Sequence, residues 1–192
     1  MQWSKSLIRQ QPITGRMIKE DGSAVNVADL LVDSSGGDDI ASETAATIFS
    51  YSNGTTLRSV PISGLPVLSI RAKTSGTLIV PLEIGVFSAG NTYFEIYINS
   101  VLTGASWASA GTNCGAEYDI SATAKAGGVR VASGYVVMDG GITYMAGKDT
   151  LLGRLGLEYD TSINVGDILT IFVTPFAGTI SASANIQWRK VV

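Results

Sequence analysis

The chain has 192 residues, with 13 Lys or Arg, 16 Asp or Glu and no histidine, for a net charge of −3. That length allows one well-buried domain plus an appendage, and the negative balance argues against general attraction to nucleic acid phosphate. Hydrophobic residues make up 45% but charged residues only 15%, so the apolarity travels with Gly, Ser, Thr and Ala instead of salt-bridged helices, a profile that favours sheets.

No run reaches the about 18 to 20 apolar residues of a membrane helix, so a soluble protein without a membrane partner is expected. The start, Met1-Gln2-Trp3-Ser4-Lys5-Ser6-Leu7-Ile8-Arg9, has no apolar core of secretory type, because Gln10, Gln11 and Pro12 follow at once. Synthesis and retention in a cytosol are expected. Residues 1 to 19 carry Lys5, Arg9, Arg16 and Lys19 and no acid, whereas residues 20 to 43 carry Glu20, Asp21, Asp29, Asp33, Asp38, Asp39 and Glu43 and no base. That asymmetry suits either an arm that docks on an acidic surface or a solvated tail. Within it, Glu20-Asp21-Gly22-Ser23 is a turn between Arg16 to Lys19 and Ala24 to Ala28, which predicts a small hairpin. Asn26 is placed to cap a short helical turn over Val27 to Leu31, too short to stand without tertiary contacts. Trp3 has no core of its own in such an arm and needs a partner to cover it. It is the best anchor residue there.

Asp33-Ser34-Ser35-Gly36-Gly37-Asp38-Asp39 reads as a linker. It divides an arm with linker, residues 1–39, from a domain, residues 40–192. Its carboxylates lack EF-hand spacing, so no calcium site is expected. Beyond it, period-two segments recur. Ala46 to Tyr51 is followed by Asn53-Gly54, the strongest short hairpin signal. Val67 to Ala72 and Thr77 to Phe87 come next, and Pro81 in the latter implies an edge strand or a bulge. Tyr93 to Ile98 places Phe94, Ile96 and Ile98 on one face and Tyr93, Glu95 and Tyr97 on the other. Val129 to Met138 follows, with Gly134 as the expected bulge, then Leu152 to Tyr159 and Ile168 to Val173.

The clearest strand is Ile180 to Trp188, in which every even position is apolar and every odd one polar. Its apolar face must be buried. The neutral face, Ser181, Ser183, Asn185 and Gln187, is either solvated or packed against a sister subunit without burying charge. About eight strands and no amphipathic helix predict an all-β fold, an antiparallel two-sheet β-sandwich of jelly-roll type preceded by an extended N-terminal arm, with an immunoglobulin-like sandwich as the nearest alternative.

The missing imidazole removes Ser-His-Asp and Cys-His catalysis. With one cysteine, Cys114, it also removes internal disulfides and zinc sites of the usual Cys/His type. Cys114 reads as a buried small hydrophobe. Glu83, Glu95, Glu117, Asp119, Glu158 and Asp160 are formal candidates for paired acids, but strand surfaces commonly carry such residues. Ala126-Gly127-Gly128 and Asp139-Gly140-Gly141 lack the P-loop continuation and read as turns. Tyr93, Tyr97, Tyr118, Tyr135, Tyr144 and Trp107 are able to line a sugar-binding surface, although packing is the commoner use. No catalytic residue, metal or cofactor is expected.

The segment Gly15 to Leu31 resembles the N-terminal arm of tailed-bacteriophage virion proteins, in particular head decoration, cement or head fibre proteins. Gly166 to Ile171, Pro175 to Gly178 and Ile186-Gln187-Trp188-Arg189 resemble the end of jelly-roll domains in similar phage structural proteins. The resemblance implies a non-enzymatic protein on the virion capsid surface, assembled in the bacterial cytoplasm. It would trimerise through the jelly roll, with Ser181, Ser183, Asn185 and Gln187 at the subunit interface, and bind the major capsid protein through Trp3, Lys5, Arg9, Arg16 and Lys19. The alternative is a tail fibre or receptor-binding protein whose tip loops, such as Gly104 to Gly115, hold bacterial glycan.

Overall fold

The computed structural model describes residues 16–18, 24–26, 47–75, 77–137, 140–145, 155–160 and 165–191. Among them there is no helix, and every strand pairing is antiparallel. The chain divides into two units, Met1–Ala45 and Ala46–Val192. In the first, β1 (Arg16–Ile18) pairs with β2 (Ala24–Asn26), Arg16 opposite Asn26 and Ile18 opposite Ala24. Two strands therefore flank the expected turn. Trp3, Lys5, Arg9, Lys19, the turn over Val27 to Leu31 and the linker Asp33 to Asp39 lie outside the described residues.

The second unit continues with β3 (Thr47–Ser52), β4 (Arg58–Val60), β5 (Leu65–Ala72), β6 (Leu78–Ser88), β7 (Thr92–Ile98), β8 (Val101–Thr103), β9 (Ala108–Ser109) and β10 (Ala116–Asp119). After these come β11 (Ala124–Ala126), β12 (Val129–Val136), β13 (Gly140–Met145), β14 (Leu157–Asp160), β15 (Val165–Gly166), β16 (Ile168–Pro175) and β17 (Ile180–Val191). One sheet is built on the long central pair β6 and β17. Strands β3 and β4 share the far side of β17, β13 and β14 share the far side of β6, and β15 adds to β14. The other sheet runs β12-β7-β16-β5-β10-β9, and β8 with β11 forms a separate two-stranded sheet.

The two sheets close over one core as a sandwich. From the first come Ile79, Ile84, Ala182, Ala184, Ile186 and Trp188; from the second, Leu68, Ile70, Phe94, Ile96, Leu169, Ile171 and Val173. The even positions of β17 and of β7 point inward, as alternation demands. Burying each large side chain contributes about 1.5–3 kcal/mol. Trp188, fully buried, stacks on Phe49 and donates its Nε1–H to the Cys114 carbonyl at 3.2 Å, so the closing strand of one sheet is tied to the loop that enters β10 of the other.

Three local expectations change, and the two alternatives left for Pro81 resolve to the bulge. Asn53-Gly54 makes a turn, with Gly54 at φ 58° and Thr56 N–H donating to Asn53 O at 3.0 Å, but no hairpin. Both β3 and β4 pair with β17, Ser52 opposite Asn185 and Arg58 opposite Ala182. The twelve-residue β17 is long enough to take both as successive stretches of one edge.

Pro81 sits in a bulge and not at a sheet edge: Gln187 faces Glu83 while Trp188 faces Pro81, leaving Leu82 as the extra residue. On the opposite side of β6, β14 pairs at Leu78 and Ile79 and β13 from Glu83 onward. Pro81, without an N–H to donate, lies between these two described pairings. In β12 the bulge is at Val131, between Arg130 and Ala132, and not at Gly134. Gly134 instead faces Phe94, whose ring lies 2.7 Å from where a Cβ would stand. The strands also exceed the expected eight: β4, β8, β9, β11 and β15 are too short to produce a periodic signal, β10 has only four residues, and β13 begins at Gly140 and Gly141, which pair with Ser88 and Phe87 instead of making the expected turn.

Candidate functional site

The sandwich presents two outer faces of different chemistry. On the β6–β17 sheet, the odd residues of β17 point outward. Ser181 faces Ser59 of β4, Ser183 faces Phe87 of β6, Asn185 lies between Ser52 and Gly85, and Gln187 lies between Ser50 and Glu83. All four are half-buried by their neighbours. A Cβ at Gly85 would meet Asn185 Oδ1, so the Asn185 side chain sits where it does because Gly85 leaves the space open. The stretch from Ser59 through Ser183 and Asn185 to Ser52 holds no charged side chain, and its largest exposed group is Phe87, 38% exposed. Glu83 and Arg189 bound it at one end.

The outer face of the other sheet is divided. Part of it lies beneath the β8–β11 pair, whose Lys125 Nζ stands 3.2 Å above the Tyr97 ring and 5.3 Å from that of Phe172. Burial lowers the Lys125 ammonium, against the opposing pull of Glu95. Ser69 and Thr170 are fully buried on this face and hydrogen-bond to each other at 3.2 Å. The loop around β9 is fixed by Asp119, also buried. Its Oδ1 accepts from the backbone N–H groups of Ser106 at 2.8 Å and Ser121 at 3.1 Å, and its Oδ2 from that of Ala122 at 3.0 Å.

The open part of the same face lies on β7, β12 and the end of β16. The Tyr93 and Tyr135 rings, cross-strand partners, have centroids 5.2 Å apart, and Tyr135 and Phe176 are 5.9 Å apart. Tyr135 is 67% and Phe176 57% exposed. Beside them Arg130 Nη1 donates to Glu95 Oε1 at 2.9 Å and to the Tyr93 hydroxyl oxygen at 3.3 Å. The Tyr97 hydroxyl donates to the same Glu95 oxygen at 3.0 Å. The hydrogen bond to Glu95 raises the Arg130 guanidinium, while burial, then that carboxylate, pushes the Tyr97 phenol up.

The remaining candidates separate by environment. Of the aromatic set, Tyr93, Tyr97 and Tyr135 meet on this face. Tyr118 instead stacks on Tyr51 at 3.7 Å, Trp107 lies 4.3 Å from the Arg71 guanidinium, and the Tyr144 side chain lies outside the described residues. Of the acids, Glu95 and Glu117 each hold an arginine, Arg130 and Arg71 respectively, and Asp119 serves its own loop. Glu158 is exposed. Cys114 is buried and donates its Sγ–H to Gly111 O at 3.1 Å. Gly127 and Gly128 form a turn at φ 62° and 85°. Arg130 and Phe176 were not anticipated, because nothing in their own segments marks them; only strand register brings them to Tyr93 and Tyr135. No family model matches the chain, and no curated protein or solved structure matches it.

Proposed function

We propose that the chain is a non-enzymatic structural protein of a tailed-bacteriophage virion, a head decoration or cement protein that assembles as a trimer. The observation that carries this reading is the neutral outer face around β17, where Ser181, Ser183, Asn185 and Gln187 lie among Ser50, Ser52, Ser59, Gly85 and Phe87. Sister subunits meeting there bury polar groups able to hydrogen-bond with one another, and no charge loses its water. The domain is a jelly roll in this proposal. Support comes from the nested pairing of the chain: β3 and β4 with β17, β5 with β16, β6 with β13 and β14, β7 with β12. A long antiparallel ribbon folded over on itself yields that order.

Residues 1–39 bind the major capsid protein in this reading, with Trp3 as the apolar anchor and Lys5, Arg9, Arg16 and Lys19 meeting acidic groups. The full-length protein then binds purified heads, and a variant lacking residues 1–32 remains a folded oligomer that does not. Undiminished binding by that variant would falsify the arm assignment. Electron microscopy of the virion places the chain on the head if the proposal holds, and on the tail if it fails. The second reading, a tail fibre or receptor-binding protein holding glycan, is favoured by the exposed rings of Tyr135 and Phe176.

A further inference from the structure

The open aromatic face is built unlike the rest of the surface. Tyr93 and Tyr135 stand on paired strands, so their rings are held by the sheet ladder and need little ordering on binding. With Phe176 they make a continuous π surface whose outer two rings are more than half exposed. An exposed aromatic cluster of this kind offers a platform for the C–H face of a sugar ring, with hydroxyl groups left free to bond at its margin.

That margin is polar and carries excess positive charge. Among the described residues, Arg130 and Lys125 flank Tyr97 against the single carboxylate of Glu95. Among the described residues, Nη1 is the one nitrogen of Arg130 with hydrogen-bond partners. Nε and Nη2 therefore remain as a donor pair of the geometry that grips a carboxylate. Glu95 does not neutralise the site; it fixes the guanidinium beside the rings. A second copy of the chain is the poorer occupant, since an isologous contact would set this cationic patch against itself.

We infer that Tyr93, Tyr135, Phe176 and Arg130 form a carbohydrate-binding site for an acidic saccharide, one sugar ring stacking on the aromatic platform and its carboxylate meeting the Arg130 guanidinium. This deepens the glycan reading and moves it from the tip loop to a strand face, because Trp107 of that loop is already engaged by Arg71. It is independent of head or tail location.

The test uses the full chain on an immobilised array of acidic and neutral bacterial oligosaccharides, beside Tyr135→Ala, Arg130→Gln and, as a control in the loop between β3 and β4, Leu57→Ser. All three positions are exposed, and circular dichroism checks that each variant is folded. The expected result is binding to uronate-containing glycans that falls roughly tenfold in Tyr135→Ala and Arg130→Gln, the size expected for losing one stacked ring or one charge-assisted contact, and is unchanged in Leu57→Ser. Added salt weakens it. Glycan binding that survives both variants overturns this site while leaving the glycan reading standing. No binding to any glycan overturns both. Equal binding of neutral glycans overturns the acidic preference, and a change of oligomer mass in Tyr135→Ala assigns the face to a second copy instead.

Discussion

Placing a charge at Ser183 separates an interface from a solvated strand surface. Ser183 lies near the middle of the neutral face, opposite Phe87, and among the described residues the nearest carboxylate along the sheet, Glu83, faces Gln187 four residues away. Four residues of strand span about 13 Å, beyond the roughly 8–10 Å over which charges act at physiological salt. A glutamate at 183 therefore changes the free subunit's stability by no more than about 0.5 kcal/mol. Against a sister subunit, the same carboxylate loses its water without gaining a partner, which costs several kcal/mol. Even about 3 kcal/mol weakens association by roughly a hundredfold. Sedimentation velocity across a dilution series reads the effect: Ser183→Glu and Ser183→Lys shift the protein toward monomer at concentrations where Ser183→Ala and the parent stay assembled, with melting of the monomer unchanged. Assemblies of unchanged mass in both charged variants would show that the face is solvated.

The tie between the two sheets predicts that Trp188→Ala, at a fully buried position, loses about 3–5 kcal/mol in chemical denaturation. Trp188→Phe keeps most of the stacking on Phe49 but leaves the Cys114 carbonyl without its donor, and so loses about 1–3 kcal/mol. Equal losses in the two variants would contradict the hydrogen bond's role. Asp119→Ala strips the acceptor from the Ser121 and Ala122 N–H groups, while the Ser106 N–H keeps Ser121 Oγ at 2.8 Å; we expect about 2–3 kcal/mol of destabilisation and faster amide exchange at Ser121 and Ala122. Burial, followed by the contact with Tyr118, raises the Tyr51 phenol well above its ordinary value. The stabilisation this gives is complete below about pH 10 and is lost as pH rises through the folded-state value. Tyr51→Phe should therefore flatten the alkaline decline in melting temperature, and an unchanged decline would point to another group.

How much of this was legible depended on where the deciding interaction lay. Alternation within one segment is local, so Ile180 to Trp188 and Phe94-Glu95-Ile96 placed their faces correctly, and the two-sheet class followed from many such segments. Partner choice is not local. Asn53-Gly54 carries a hairpin signal, yet whether the chain returns on itself depended on β17, more than a hundred residues away, offering an edge long enough for both flanking strands. Gly134 was expected to mark a bulge because glycine tolerates one. The Phe94 ring across the strand pair is the reason for the glycine, and the bulge falls at a valine. The aromatic face was half visible, since Tyr93, Tyr97 and Tyr135 belong to a residue class that binds sugars. Their separation from Tyr118 and Trp107, and the arrival of Arg130 and Phe176, required the register of β12 against β7 and of β7 against β16.

The two outer faces belong to opposite sheets, and this gives the proposed association and the proposed binding a testable independence. Packed sheets are about 10 Å apart, and Ser183 and Tyr135 point away from each other on the far sides of that layer, so substitutions at the two should act additively. An oligomer built on the β17 face would leave every copy's aromatic face open to the outside, and several weak sites on one particle would bind a repeating polymer with an avidity 10²- to 10⁴-fold above a single site. Ser183→Glu should therefore sharply reduce retention on an immobilised polysaccharide while leaving the affinity for one soluble acidic oligosaccharide unchanged by calorimetry. Tyr135→Ala should reduce both and leave the oligomer's mass alone. Loss of the soluble-ligand affinity in Ser183→Glu would mean that the sugar site itself depends on assembly, and the independence of the two faces would have to be abandoned.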